Sequence, residues 1–233
     1  MRTIAILPIK SFGAAKQRLS SLLGGGSRQA LAQAMFSDVL TSLRHVPDLG
    51  GVAVVTANKV AEDAALRTGV TLLADTEEAG QSAAAQIGLR HAIDNGYERA
   101  LLVPGDTPLL DPLEVAAMFD RADEGATAVT IVPDRHGEGT NALLLDLPAA
   151  IEPAFGPGSL ERHRAAAQAA GAAHRVDTVA SLALDVDTPE DLAELRRTLD
   201  GRHGQAPMTR GALRQIDRSQ VGATVGSGAR VEA

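Results

Sequence analysis

Apolar and polar positions along the chain come in blocks that predict strands and helices in turn. The apolar run at 3–9, carrying Pro8 and closed by Lys10, has the pattern of a short buried strand. Over 13–23 the apolar residues recur at helical spacing, and Gly24, Gly25 and Gly26 end that predicted helix. Ser27 then stands where it can cap a long helix to about His45, with Leu31, Ala34, Met35, Val39 and Leu43 on one face. Beyond it, 52–56 reads as strand, 59–67 as helix, 70–74 as strand and 82–95 as a helix closed by Gly96. Residues 99–103 form the next strand, and 113–122 a helix entered through Asp111-Pro112. This alternation predicts an α/β domain with a mostly parallel sheet covered by helices on both faces.

After Gly125 the rhythm changes. Residues 127–132 and 141–145 are both strand-like, with only a polar loop between them, so the second half is expected to break the parallel order. A helix at 159–170, short strands at 173–176 and 183–186, and a last helix at 189–199 complete the pattern. From Asp200 onward no apolar periodicity is evident. The reading is therefore one domain over 1–199 and a disordered tail over 200–233.

Composition narrows the class. A chain of 233 residues can bury a substantial core. It lacks cysteine, which excludes disulfides, a thiolate nucleophile and cysteine-ligated metal centres. Basic side chains number 22 against 29 acidic ones, a net charge of −7, which argues against nucleic acid as a partner. One Tyr, four Phe and no Trp leave little to stack bases on. No apolar run is long enough for a membrane span, and the N-terminus lacks the pattern of a secretory signal. A soluble cytoplasmic protein is expected.

Open parallel sheets bind ligands at the carboxyl ends of their strands, so residues just after strands are the informative ones. After the first strand come Lys10, Ser11, Phe12, Gly13, Ala14, Ala15, Lys16, Gln17 and Arg18. Two of the chain's three lysines sit here, in a loop of small residues suited to an anion. The alternative is a solvated basic turn. After the strand at 99–103, Asp106 lies in a turn shaped by Pro104, Gly105 and Pro108, placed to hold a magnesium-bound triphosphate or merely to cap the next turn or helix. Asp185 and Asp187, two apart on an extended segment, can point to one side, and with Asp106 they would require a cation between them. Thr188-Pro189-Glu190-Asp191 is also a good helix start, so Asp187 could simply cap it. Gly156, Gly158 and Ser159 open a helix that offers a second anion site. His163, flanked by Arg162 and Arg164, reads as a solvated surface residue.

Taken together, I-K-x-x-x-x-A-K-x-R-L, G-D-x-P-L-L, G-T-N, F-G-x-x-S-x-x-R-H and D-V-D-T-P-E-D-L resemble the phosphoenolpyruvate and 2-phospho-L-lactate guanylyltransferases of coenzyme F-420 biosynthesis. The resemblance covers about 1–199. It implies a single nucleotidyltransferase domain with a Rossmann-like sheet, GTP as donor, a phosphorylated three-carbon acid as acceptor and Mg²⁺ as cofactor. It carries the metal carboxylates onto Asp106, Asp185 and Asp187, and the phosphoenolpyruvate contacts onto Thr140, Gly156 and Ser159. Lys16 and Arg18 fall at the triphosphate beside Lys10. Where many members have Leu-Asn, this chain has Gly80-Gln81-Ser82, with Ser82 carried over to the nucleotide. The product would pass to the next transferase of that pathway. Rival readings are a 3-phosphoglycerate, molybdopterin or sugar nucleotidyltransferase and, from another class, a non-catalytic nucleotide-binding regulator.

Overall fold

The computed structural model describes residues 1–14, 16–201 and 204–227. Seven strands form one sheet: β1 (Thr3–Ile9), β2 (Leu49–Thr56), β3 (Thr71–Ala74), β4 (Arg99–Leu102), β5 (Val129–Pro133), β6 (Thr140–Asp146) and β7 (His174–Val176). They are ordered β3-β2-β1-β4-β6-β5-β7. β1 pairs in parallel with β2 and β4, and β5 with β7. β6 runs antiparallel to both its neighbours. The strand pair without an intervening helix therefore does break the parallel order, as its spacing predicts.

Among the described residues seven α-helices accompany the sheet: α1 (Gly25–Leu43), α2 (Lys59–Thr68), α3 (Gln81–Asp94), α4 (Pro112–Glu124), α5 (Ser159–Ala169), α6 (Pro189–Asp200) and α7 (Pro207–Ser227). One face of the sheet, including Ala5, Leu7, Val54 and Leu101, packs against Phe36 and Val39 of α1, Ala61 of α2 and Met118 of α4. The other face, with Ile4, Ile6, Val55 and Leu102, packs against Ala84 and Leu89 of α3 and Ala167 of α5. Covering both faces lets the strands be apolar nearly throughout, as β1 is from Ile4 on, with every residue buried.

Four sequence expectations are corrected. The described residues of 13–23 form no α-helix but two short 3₁₀ turns, Phe12–Ala14 and Gln17–Leu19, with Lys16 in the left-handed conformation (φ 56°). Tertiary contacts override the periodicity here, since Lys16 is drawn across the sheet edge by two carboxylates while Leu19 is fully buried. α1 begins at Gly25 with Gly24 extended before it, so Ser27 lies inside the helix and does not cap it. The segment 183–186 joins no strand; a side chain, Asn141, binds the carbonyls of Leu182 and Ala183 instead.

The fourth concerns the C-terminal segment, expected to be disordered. Residues 207–227 form α7, and Leu213 and Ile216 enter a third apolar cluster with Leu31 and Met35 of α1 and Leu192, Leu195 and Leu199 of α6. Buried Asp38 of α1 accepts bonds from the amides of Met208 and Thr209 and from the Thr209 hydroxyl, satisfying the amides at the start of α7. The apolar positions number too few to reveal this helix as a periodic run.

Candidate active site

An open cleft of about 920 Å³ lies along the carboxyl ends of the parallel strands. Because β6 runs the opposite way, its first residues, Thr140 and Asn141, arrive at this same edge. Gly105 brings the turn after β4 close to β1; a Cβ there would lie 2.5 Å from the Ile9 side chain. The cleft is lined by Lys10, Lys16, Arg18, Asp106, Thr140, Gly156, Ser159, Asp185 and Asp187. Ser82 is not on its wall.

Asp106, Asp185 and Asp187 come together in the cleft, and two of them hold Lys16. The Lys16 ammonium donates to Asp106 Oδ2 and, at 2.8 Å, to Asp187 Oδ1. Neither acid is spent on capping a helix. Asp111 caps α4, and α6 starts with a capping box between Thr188 and Asp191. Along 184–187 the side chains alternate: Leu184 and Val186 enter the third apolar cluster, while Asp185 and Asp187 line the cleft. The Val186 amide donates to the Asp106 carbonyl at 3.2 Å, locking this arm to the turn after β4.

The electrostatics follow from burial. Burial alone would lower the pKa of Lys16, but attraction to Asp106 and Asp187 outweighs it and the ammonium is held charged. Asp185 has no such cation. Burial and then repulsion from Asp106 push its carboxyl up to about 6, against stabilising hydrogen bonds from Asn141 Nδ2 at 3.1 Å and from its own backbone amide. Asp106 Oδ1 is buried and finds no hydrogen-bond partner among the described residues. An unpaired carboxylate oxygen beside an under-compensated acid is a site short of positive charge.

Across the cleft stands the loop before α5. Gly156 (φ 111°) and Gly158 (φ 72°) adopt conformations that disfavour any side chain, which lets the chain turn tightly into the helix. The Ser159 amide is taken by the Gly156 carbonyl and the Leu160 amide by that of Glu138, so this helix start offers fewer free amides than its sequence implies. Arg162 is not among the residues that line the cleft. Its guanidinium clasps the carbonyls of Ala154, Phe155, Pro157 and Gly156 and shapes the loop.

The sequence agrees with this geometry. Residues 3–232 match the family model described as "Guanylyl transferase CofC like". The chain belongs to that guanylyltransferase family. The match runs through α7, so the C-terminal helix lies within the family's length and not outside it. A phosphoenolpyruvate guanylyltransferase of Conexibacter woesei is 46% identical over 219 residues, 94% of this chain and 98% of that protein. A 2-phospho-L-lactate guanylyltransferase of Methanothermobacter thermautotrophicus is 32% identical, covering 88% and 89%. Among solved structures, one described as a putative nucleotide-diphospho-sugar transferase of Desulfovibrio desulfuricans superposes with a TM-score of 0.72 at 17% identity, covering 94% and 96%, and shares the fold.

Other residues of this guanylyltransferase take less central places. Lys10 and Arg18 are exposed on the cleft wall, and Arg18 makes no ion pair among the described residues. Ser82 accepts a bond from the Phe155 amide at 3.0 Å, tying α3 to the loop before α5 instead of facing the cleft. Two residues are more important than their sequence reading suggests. Asn141, beside Thr140 in the G-T-N run, binds both Asp185 and the backbone leading to it. His163, read as a surface residue, is fully buried beneath the cleft, because its ring fills the space between Thr140, Phe155 and Ala154.

Proposed function

We propose that this guanylyltransferase moves GMP from GTP to the phosphate of phosphoenolpyruvate, with 2-phospho-L-lactate as the second choice, releasing pyrophosphate. The observation that carries this reading is that one cleft is lined both by the acids Asp106, Asp185 and Asp187, which are short of positive charge, and by Thr140, Gly156 and Ser159. The names of the relatives support the nucleotide and the class of acid.

An ionised oxygen of the acceptor's phosphate attacks the α-phosphorus of GTP, and the bond to the β-phosphate oxygen breaks in line. The nucleophile is already deprotonated, so no general base is needed, and catalysis is positioning with charge compensation. Lys16 and Arg18 offset the charge gathering on pyrophosphate. Thr140 and Ser159 orient the acid. Among the described residues no three acidic or histidine side chains alone form a cage for a metal. Magnesium does not require one, since one or two carboxylates with phosphate and water suffice. Asp106, through its unpaired Oδ1, and Asp185 fit that need, with Asp187 beside them. Magnesium bound there would supply electrostatic stabilisation between the two phosphates. A cytoplasmic setting and hand-over of the product to a following transferase belong to the same reading.

The deciding experiment incubates the protein with GTP, Mg²⁺ and, separately, phosphoenolpyruvate, 2-phospho-L-lactate and 3-phosphoglycerate, following pyrophosphate. Release with phosphoenolpyruvate foremost is expected. Release only with 3-phosphoglycerate, or with none of the acids, overturns the reading.

A further inference from the structure

His163 is buried with no exposed surface, and both of its ring nitrogens have partners. Nε2 lies 2.8 Å from the backbone amide nitrogen of Ala154, which is a donor in every protonation state. Nε2 therefore accepts. In a neutral ring the proton then sits on Nδ1, which lies 3.0 Å from the Thr140 hydroxyl oxygen. That N–H donates to Thr140, so the hydroxyl's own hydrogen is left to point elsewhere. Thr140 lines the cleft.

We infer that His163 is a positioning residue that makes the Thr140 hydroxyl a committed donor toward an anionic oxygen of the acceptor acid. This deepens the proposed function and rests on its assignment of the α5 end of the cleft to the acceptor. A hydroxyl free to rotate offers a lone pair or a proton equally. Fixed by a buried N–H on its far side, it selects a phosphate or carboxylate oxygen over a hydroxyl or amine hydrogen. Three features hold the ring in place. The Phe155 ring stands edge-on to it at 5.5 Å between centroids, Ser82 anchors the Phe155 amide, and Arg162 grips the carbonyls of the same loop. Burial, with Arg162 adding to it, lowers the ring's pKa to about 4, which keeps it neutral during turnover at neutral pH.

Two variants and one spectrum test this. Asn at 163 places an amide N–H near the Nδ1 position and keeps a donor for Thr140. Gln reaches the Ala154 amide but loses that donor. The expectation for His163→Asn is a KM for phosphoenolpyruvate within about threefold of wild type. His163→Gln should raise that KM about tenfold, the scale of one hydrogen bond to a charged group. The kcat and the KM for GTP should stay unchanged in both. The imidazole ¹⁵N spectrum of the unliganded wild-type protein should show a protonated Nδ1 and an unprotonated Nε2, a result that does not depend on any variant folding. A protonated Nε2, or equal acceptor KM values for the two variants, overturns the inference. If Nδ1 carries the proton but His163→Gln weakens GTP and not the acid, the relay to Thr140 stands. The acceptor assignment beneath it is then what fails.

Discussion

The Lys16 ammonium lies 2.8 Å from Asp187 Oδ1, although 171 positions separate the two residues in sequence. With its second bond, to Asp106, Lys16 ties the loop after β1 to the turn after β4 and to the arm before α6. Its side chain is 7% exposed while that of Asp187 is 48% exposed, so the ammonium is enclosed more than its partners. Removing it leaves three acids facing each other. Lys16→Met is expected to destabilise the metal-free protein by about 3 kcal/mol, the low end for breaking a buried pair because Asp187 remains partly solvated. Millimolar Mg²⁺ should restore part of the lost thermal midpoint. A midpoint equal to wild type would show that the ion pair does not organise the site.

With Asp106 in its proposed role of holding Mg²⁺, Asp106→Asn should lower turnover at least about 100-fold. Circular dichroism should show the fold unchanged. Near-normal turnover in a folded Asp106→Asn protein would remove this residue from the metal site.

Asp185 links stability to pH. Its folded pKa of about 6 exceeds the ordinary carboxylate value of 3.8 because of burial and the nearby Asp106. The folded state thus keeps this proton to higher pH than the unfolded chain, and stability from this group is lost as pH rises from about 4 through 6. Asp185→Asn should raise the metal-free stability at pH 7 by roughly 1–2 kcal/mol, allowing for solvent screening at the cleft, while turnover falls. Denaturant titrations at pH 4.5 and 7 check the sign. A variant less stable than wild type at pH 7 contradicts it.

His163 acts in the opposite direction. Its folded pKa of about 4 lies below the ordinary 6.5, so the unfolded chain takes up the proton first as pH falls. Between about pH 6.5 and 4 the protein should lose up to roughly 3 kcal/mol from this residue. His163→Asn should flatten that part of the stability profile. An unchanged slope would mean that the ring is not desolvated in solution.

Ending the chain after Gly204 removes Leu213 and Ile216 from the third apolar cluster and leaves Asp38 buried without its Thr209 and Met208 donors. Two such side chains alone contribute roughly 3–6 kcal/mol. Leu184 and Val186, which hold the Asp185 arm, share that cluster, so turnover should fall along with the thermal midpoint. A truncated protein as stable and active as the full chain would show that α7 does not support the site.

What the sequence determined by itself is local. The apolar run of β1, the Asp111-Pro112 start of α4 and the Thr188-Pro189-Glu190-Asp191 start of α6 are legible because strand burial, proline geometry and capping act between near neighbours. The strand pair without a helix between predicts the reversed β6 for the same reason. Motif residues after strands also fell on one cleft, because an open parallel sheet brings its strand ends to one edge. Only the tertiary structure decided the rest. Lys16 breaks a helical pattern because acids 90 and 171 positions away hold its ammonium. Asp38 makes a helix of residues that lack periodicity by binding amides 170 and 171 positions distant. His163 is internal because Thr140 and Ala154 converge on its two nitrogens from different loops. Ion pairs and buried hydrogen bonds of this kind depend on distance in space, and apolar spacing along a chain carries no record of it.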